Sequence, residues 1–196
     1  QVWATTPRGD KFQQVPQLVM SAPAPQAANL LSPSDNDLGE LLREINYAPL
    51  TLVHLGFDRE MIKHPLDGTG FLTPRNGNTR INGNLWLSRL FSGRAPDGKV
   101  LLTSYLGGAR NPSACQWDDQ RSADAVVGDL EKLFGCRLTP EMVRLDRHSQ
   151  ALPLSAGESH TSLSHKGVVL VGQTHDKVVH LGCTGGGDDL LKGGIG

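Results

Sequence analysis

Leu38, Leu41, Leu42 and Ile45 recur at i, i+3, i+4 and i+7, which is one apolar stripe on a helix, and Ser34 or Asp35 is available to cap its start. A second helix is expected over 121–134. There Ala123, Val126, Val127, Leu130, Leu133 and Phe134 keep the 3.6-residue period, Ser122 stands at the cap, and Gly135 closes the end. Between the two the pattern changes. Leu50–Phe57 is rich in β-formers, Gly70–Pro74 follows a turn at Asp67-Gly68, and Leu85–Phe91 and Lys99–Leu106 read as two strong strands joined by a Pro/Gly connection. Asn76-Gly77 and Asn82-Gly83 are turn dipeptides, and an antiparallel meander is the economical reading of 50–106.

The flanks are shorter in signal. Residues 1–15 read as a hairpin turning at Pro7-Arg8-Gly9-Asp10, where a turn is preferred to an adhesion role for the Arg-Gly-Asp triplet. Gln17–Ser21 is a short apolar strand, followed by a tight turn at Ala22–Pro25 and a short helix over Gln26–Leu31. Late in the chain, Met142–Asp146, Val168–Gly172 and Val178–Gly182 are strand-like, and Gly185-Gly186-Gly187 ends the readable part. Helix, strands, helix and returning strands together give an α/β or α+β class.

The chain has 196 residues, a hydrophobic share of 38% and a formal net charge of −1. That composition is globular, and the missing basic surplus argues against a general nucleic-acid binder. No run approaches the length of a membrane span. Cys115, Cys136 and Cys183 are odd in number and form no CxxC pair, so they read as reduced thiols in a reducing compartment. The ends, without an initiator Met, a leader or a closing element, read as the middle of a longer chain.

Few titratable constellations stand out. His160, His165, His175 and His180, with Cys183 beyond, lack the paired spacings of a zinc site, so no metal is expected. Gly157-Glu158-Ser159-His160 is no nucleophile elbow. The glycines of 182–187 would let a phosphate or ring approach the backbone, or form a tail. Leu72, Leu85 and Tyr105 are the better signal: they fall on successive expected strands, each near glycine. Such side chains on one sheet face suit a flat apolar ligand, although pattern alone favours ordinary sheet core.

Three motifs in order carry a resemblance: Gly68–Pro74, Leu90–Pro96 and Leu102–Asn111. With Leu18–Ala24 upstream and Gln150–Leu154 downstream, residues 17–154 resemble the oxygen-dependent protoporphyrinogen oxidases, flavoproteins of the amine-oxidase superfamily. The resemblance implies a partial FAD-binding domain plus an antiparallel or mixed-sheet substrate domain with covering helices. Residues 1–46 would be late FAD-domain pieces, 47–148 the substrate domain and 149–196 the return to the flavin. It implies oxidation of protoporphyrinogen or coproporphyrinogen with FAD and dioxygen, yielding peroxide, so the tetrapyrrole is the expected partner. Little acid–base machinery is needed, since the cofactor carries the chemistry.

By motif position Leu72, Leu85 and Tyr105 would sandwich the tetrapyrrole, which turns the preference from sheet core to ligand face. Ala22, Pro23, His148, Gly182, Gly186 and Gly187 would meet FAD. The resemblance further implies a cytoplasmic protein with peripheral membrane contact through a segment not matched here, and a homodimer. The departures are specific. No GxGxxG fingerprint is present, His148 stands where the family often has an aromatic residue, and the likeness decays after Leu154. Another flavin amine oxidase, a non-catalytic tetrapyrrole-binding module and a bare structural domain are the alternatives.

Overall fold

A computed structural model describes residues 2–6, 8–13, 19–154, 169–173 and 178–180. Along the chain these form β1 (Val2–Thr6), β2 (Gly9–Gln13), β3 (Val19–Met20), α1 (Ala24–Leu31), α2 (Asn36–Arg43), β4 (Tyr47–Asp58), β5 (Gly70–Leu72), β6 (Ile81–Trp86), α3 (Leu87–Leu90), β7 (Lys99–Gly107), α4 (Asp119–Phe134), β8 (Met142–Pro153), β9 (Val169–Gln173) and β10 (Val178–His180). They divide into two compact units, one of Gln1–Asn46 with Ser155–Gly196 and one of Tyr47–Leu154.

In the first unit β1 and β2 form an antiparallel hairpin. β3 pairs in parallel with β9, which pairs antiparallel with β10. α1 begins at Ala24, two residues before the expected start, because Pro25 falls in the first turn, where its missing N–H costs no hydrogen bond. α2 takes Asp35 rather than Ser34 as its cap: the Leu38 N–H donates to Asp35 Oδ1 at 3.0 Å. Ala27, Ala28, Leu38 and Leu42 form the core of this unit, so the predicted stripe is the face that is buried.

The second unit is a five-stranded antiparallel sheet in the order β5-β6-β7-β4-β8. The meander expected for 50–106 therefore covers only β5–β7, and β4 joins the far side of β7. Along β4, Val53, Leu55 and Phe57 are fully buried while the alternating Leu52, His54 and Gly56 are half-buried. Alternation of that kind is what a sheet with one packed face requires. α4 supplies Val126 and Leu130 to the core on the packed face, together with Ile81, Leu102, Leu106 and Trp86.

Four local expectations change. Ser122 does not cap α4; Asp118 does, accepting the Arg121 N–H at 2.8 Å, and Ser122 is fully buried one turn inside. The strand expected over Leu85–Phe91 stops at Trp86, where α3 turns the chain so that Ser88 Oγ accepts the Leu101 N–H and Arg89 Nε donates to the Leu66 carbonyl. Asn82-Gly83 makes no turn. It lies inside β6 at a bulge, where pairing with β7 jumps from Ile81↔Leu106 to Gly83↔Tyr105. Met142–Asp146 is the start of a strand that continues to Pro153, beyond residue 148.

Asp129 ties the helix to the sheet. Fully buried on α4, it accepts the backbone N–H groups of Arg80 and Ile81 where β6 begins, and the Arg80 and Lys132 side chains lie 3.7 Å away. Asp129→Ala leaves two N–H groups without an acceptor. It is expected to cost about 3 kcal/mol, read as a lower urea midpoint; an unchanged midpoint contradicts this role.

Candidate ligand face of the five-stranded sheet

Residues paired across antiparallel strands point to the same side of a sheet. Leu72 pairs with Gly83, Gly83 with Tyr105, Tyr105 with Leu52, and Leu52 with Asp146. The neighbouring row on the same side runs Leu85, Thr103, His54 and Arg144. Leu72, Leu85 and Tyr105 thus share the face opposite the α4 core. Leu72 is 86% exposed, and Leu85 and Tyr105 are half-buried.

Gly83 gives this wall its shape. A Cβ there would lie 2.7 Å from the Phe71 carbonyl oxygen and 2.9 Å from Leu72 Cδ2. The space left by the missing side chain is therefore taken up by Leu72 and the β5 backbone, which brings Leu72 over β6. The protein fills this space itself rather than leaving it open beside the wall. A groove of about 690 Å³ borders the wall at Leu72, lined in part also by His64, Phe71, Trp86, Leu133 and Phe134. Neither Leu85 nor Tyr105 lines it. The shared wall is a surface, not that groove.

Beside the apolar residues lies a polar group that no pattern along the chain announces. His54 Nδ1 is 2.8 Å from Thr103 Oγ1, and His54 Nε2 is 3.2 Å from Asp146 Oδ2. Arg144 donates from Nη2 to Asp146 Oδ1 at 3.1 Å. Hydrogen bonding from Arg144, its charge and then the neighbouring His54 hold the Asp146 carboxyl below the usual carboxylate range. Residues from three strands make this group, so no spacing along the chain could reveal it.

The residues assigned to flavin fall on both units. Ala22 is half-buried and Pro23 exposed at the β3–α1 junction, and Pro23 occupies the cap position of α1. Among the described residues no side chain caps that helix, and its first turn carries no acidic residue. His148 is exposed on β8, opposite Leu50. Gly182, Gly186 and Gly187 lie outside the described residues, as do Cys183, His165, His175 and Gly157–His160. Among the described residues no group of three His, Cys, Asp or Glu could hold a metal ion, and no helix is long and apolar enough to cross a membrane.

Comparison with known proteins decides the family. Residues 1–166 match the flavin containing amine oxidoreductases. The chain belongs to that family. Membership brings FAD with it as the family's cofactor. The chain is 33% identical over 135 residues to the chloroplastic protoporphyrinogen oxidase of Nicotiana tabacum, covering 66% of this chain and 25% of that protein. It is 30% identical over 186 residues to protoporphyrinogen oxidase 1 of Spinacia oleracea, covering 85% and 33%. Against the coproporphyrinogen III oxidase of Bacillus subtilis the figures are 29% over 138 residues, 69% and 28%. The chain thus spans about a quarter to a third of the length of these relatives. A solved structure from Exiguobacterium sp. 255-15 shares the fold with a TM-score of 0.60 at 22% identity, over 87% of this chain and 38% of that one.

Two predictions follow from this geometry. Gly83→Ala forces β5 off β6, so amide exchange at Phe71 and Thr73, whose N–H groups face β6, accelerates while that of β4 holds; unchanged exchange contradicts the close approach. Because the Asp146 pKa is lowered, its pairing contributes to stability above the unfolded value of about 3.9 and is lost as pH falls through the lower folded value. In a carboxyl NMR titration Asp146 is expected to titrate below a free aspartate and to move back up in Arg144→Gln. Equal titration in both proteins contradicts the pairing.

Proposed function

We propose that this chain supplies the tetrapyrrole-facing wall of a protoporphyrinogen-oxidase-type enzyme, with Leu72, Leu85 and Tyr105 as its substrate-binding residues. The observation that carries the reading is the register that sets all three on one side of the sheet, away from the α4 core. Apolar side chains and an aromatic ring on a pleated surface match a flat, largely apolar macrocycle. Sequence similarity to porphyrinogen oxidases over most of the chain supports the same substrate class.

FAD, when bound, supplies the two-electron oxidation and passes the electrons to dioxygen. This chain's own part is binding and orientation. The wall holds one face of the macrocycle still, so that a methylene-bridge carbon is presented in one position. Leu72, Leu85, Tyr105 and Leu52 exclude water from that face. Ala22, Pro23 and His148, with Gly182, Gly186 and Gly187, would hold the cofactor. In this reading residues 1–46 and 149–196 serve the FAD-binding domain and 47–148 the substrate domain.

The test is a titration with protoporphyrin IX, followed at its main absorption band, in the presence and absence of FAD. The parent chain is expected to bind, and Tyr105→Ala to bind about tenfold more weakly through loss of an aromatic contact. A parent chain that leaves the band unmoved, or a Tyr105→Ala variant that binds as the parent does, overturns the reading. Binding that is indifferent to FAD favours a flavin-independent tetrapyrrole module.

A further inference from the structure

β5 is only three residues long and stands at the sheet edge, yet it carries the most exposed residue of the wall. Three ladder pairs hold an edge strand weakly. Thr73, immediately after Leu72, is nevertheless 4% exposed and is bonded on every side. Its N–H donates to the Asn82 carbonyl at 3.0 Å and its Oγ1 donates to the Ile81 carbonyl at 2.5 Å. Arg110 then donates from Nη1 to Thr73 Oγ1 at 3.2 Å and from Nη2 to the Thr73 carbonyl at 2.7 Å.

Arg110 lies five residues after Tyr105, in the turn that leaves β7. An exposed arginine ordinarily leaves its guanidinium in water. Here both terminal nitrogens are spent on one residue of another strand, in the planar fork that only Arg offers. The turn is built to deliver it. Gly107 has φ +100°, and a Cβ there would lie 2.2 Å from Cys115 Sγ. Asn82 Nδ2 donates to the Gly107 carbonyl at 2.9 Å. The chain of contacts closes from Thr73 through Arg110 and Gly107 to Asn82 and back to Thr73, joining the strand of Leu72 to the strand of Tyr105.

We propose that Arg110 is a positioning residue for the ligand face: by gripping Thr73 it fixes the separation of Leu72 and Tyr105, and so the fit of a planar tetrapyrrole between them. The inference rests on the reading of the wall given above. Arg110 contributes nothing to the buried apolar core, so its loss loosens the wall without unfolding the unit.

The test is protoporphyrin IX titration of the parent chain and of Arg110→Gln, Arg110→Lys and Leu72→Ala, with melting midpoints taken on the same samples. Arg110→Gln is expected to weaken binding about tenfold, as for loss of a charge-assisted pair of hydrogen bonds, at an unchanged midpoint. Arg110→Lys, which keeps the charge and one donor nitrogen but not the fork, recovers part of the affinity. Leu72→Ala weakens binding as well. If Leu72→Ala weakens binding and Arg110→Gln does not, the role of Arg110 fails while the wall stands. If neither variant changes binding, the wall itself fails, and the inference with it. Affinity that falls only in step with the melting midpoint, without recovery in Arg110→Lys, marks a general stabiliser and overturns positioning.

Discussion

The pairing of β5 with β6 at Gly83 is the constraint on which the proposed function turns. Only a residue without a side chain lets the Phe71 carbonyl and the Leu72 side chain come so close to β6. That approach fixes the row Leu72, Gly83, Tyr105, Leu52. Slip β5 by one residue and Leu72 would turn to the α4 side while Phe71, which now packs edge-on against Phe134 at 6.2 Å between ring centres, would turn outward. The Phe71–Phe134 contact and the grip on Thr73 therefore act as two independent locks on one register.

The two faces of the sheet divide the work. Burial of Val53, Leu55, Phe57, Leu102 and Leu106 against α4 is the dominant favourable term, and it leaves the other face to carry the side chains proposed to meet the ligand. That face changes character across its width. Leu72 and Leu85 lie toward the β5 edge, and the His54, Asp146 and Arg144 group lies toward β8. Because its charges are mutually paired, the group can stand beside an apolar wall at little electrostatic cost.

Much of the fold was legible wherever one element's own period carried the information. The stripe Leu38–Leu42 and the run Val126–Leu130 are buried as their spacing requires, because a helix places i and i+4 on one side. Failures came where a partner distant in sequence decided. Asn82-Gly83 reads as a turn until Tyr105 and Leu72 are opposite it. Ser122 reads as a cap until Asp118 takes the role. The shared side of Leu72, Leu85 and Tyr105 needed the register of three strands, and the family motifs supplied the reason to look there. His54, Thr73 and Arg110 were invisible, since each acts through a residue at least 37 positions away.

The account stands on a flat ring system lying against the wall formed by β5, β6 and β7. Leucine methyl NMR of the chain with protoporphyrin IX reads this contact directly, because the macrocycle's ring current shifts only methyls held close to its plane. The account predicts large shifts for Leu72 and Leu85, with Leu130 on the opposite side unmoved. Shifts at Leu133 beside the α4 groove, with Leu85 unchanged, would contradict it.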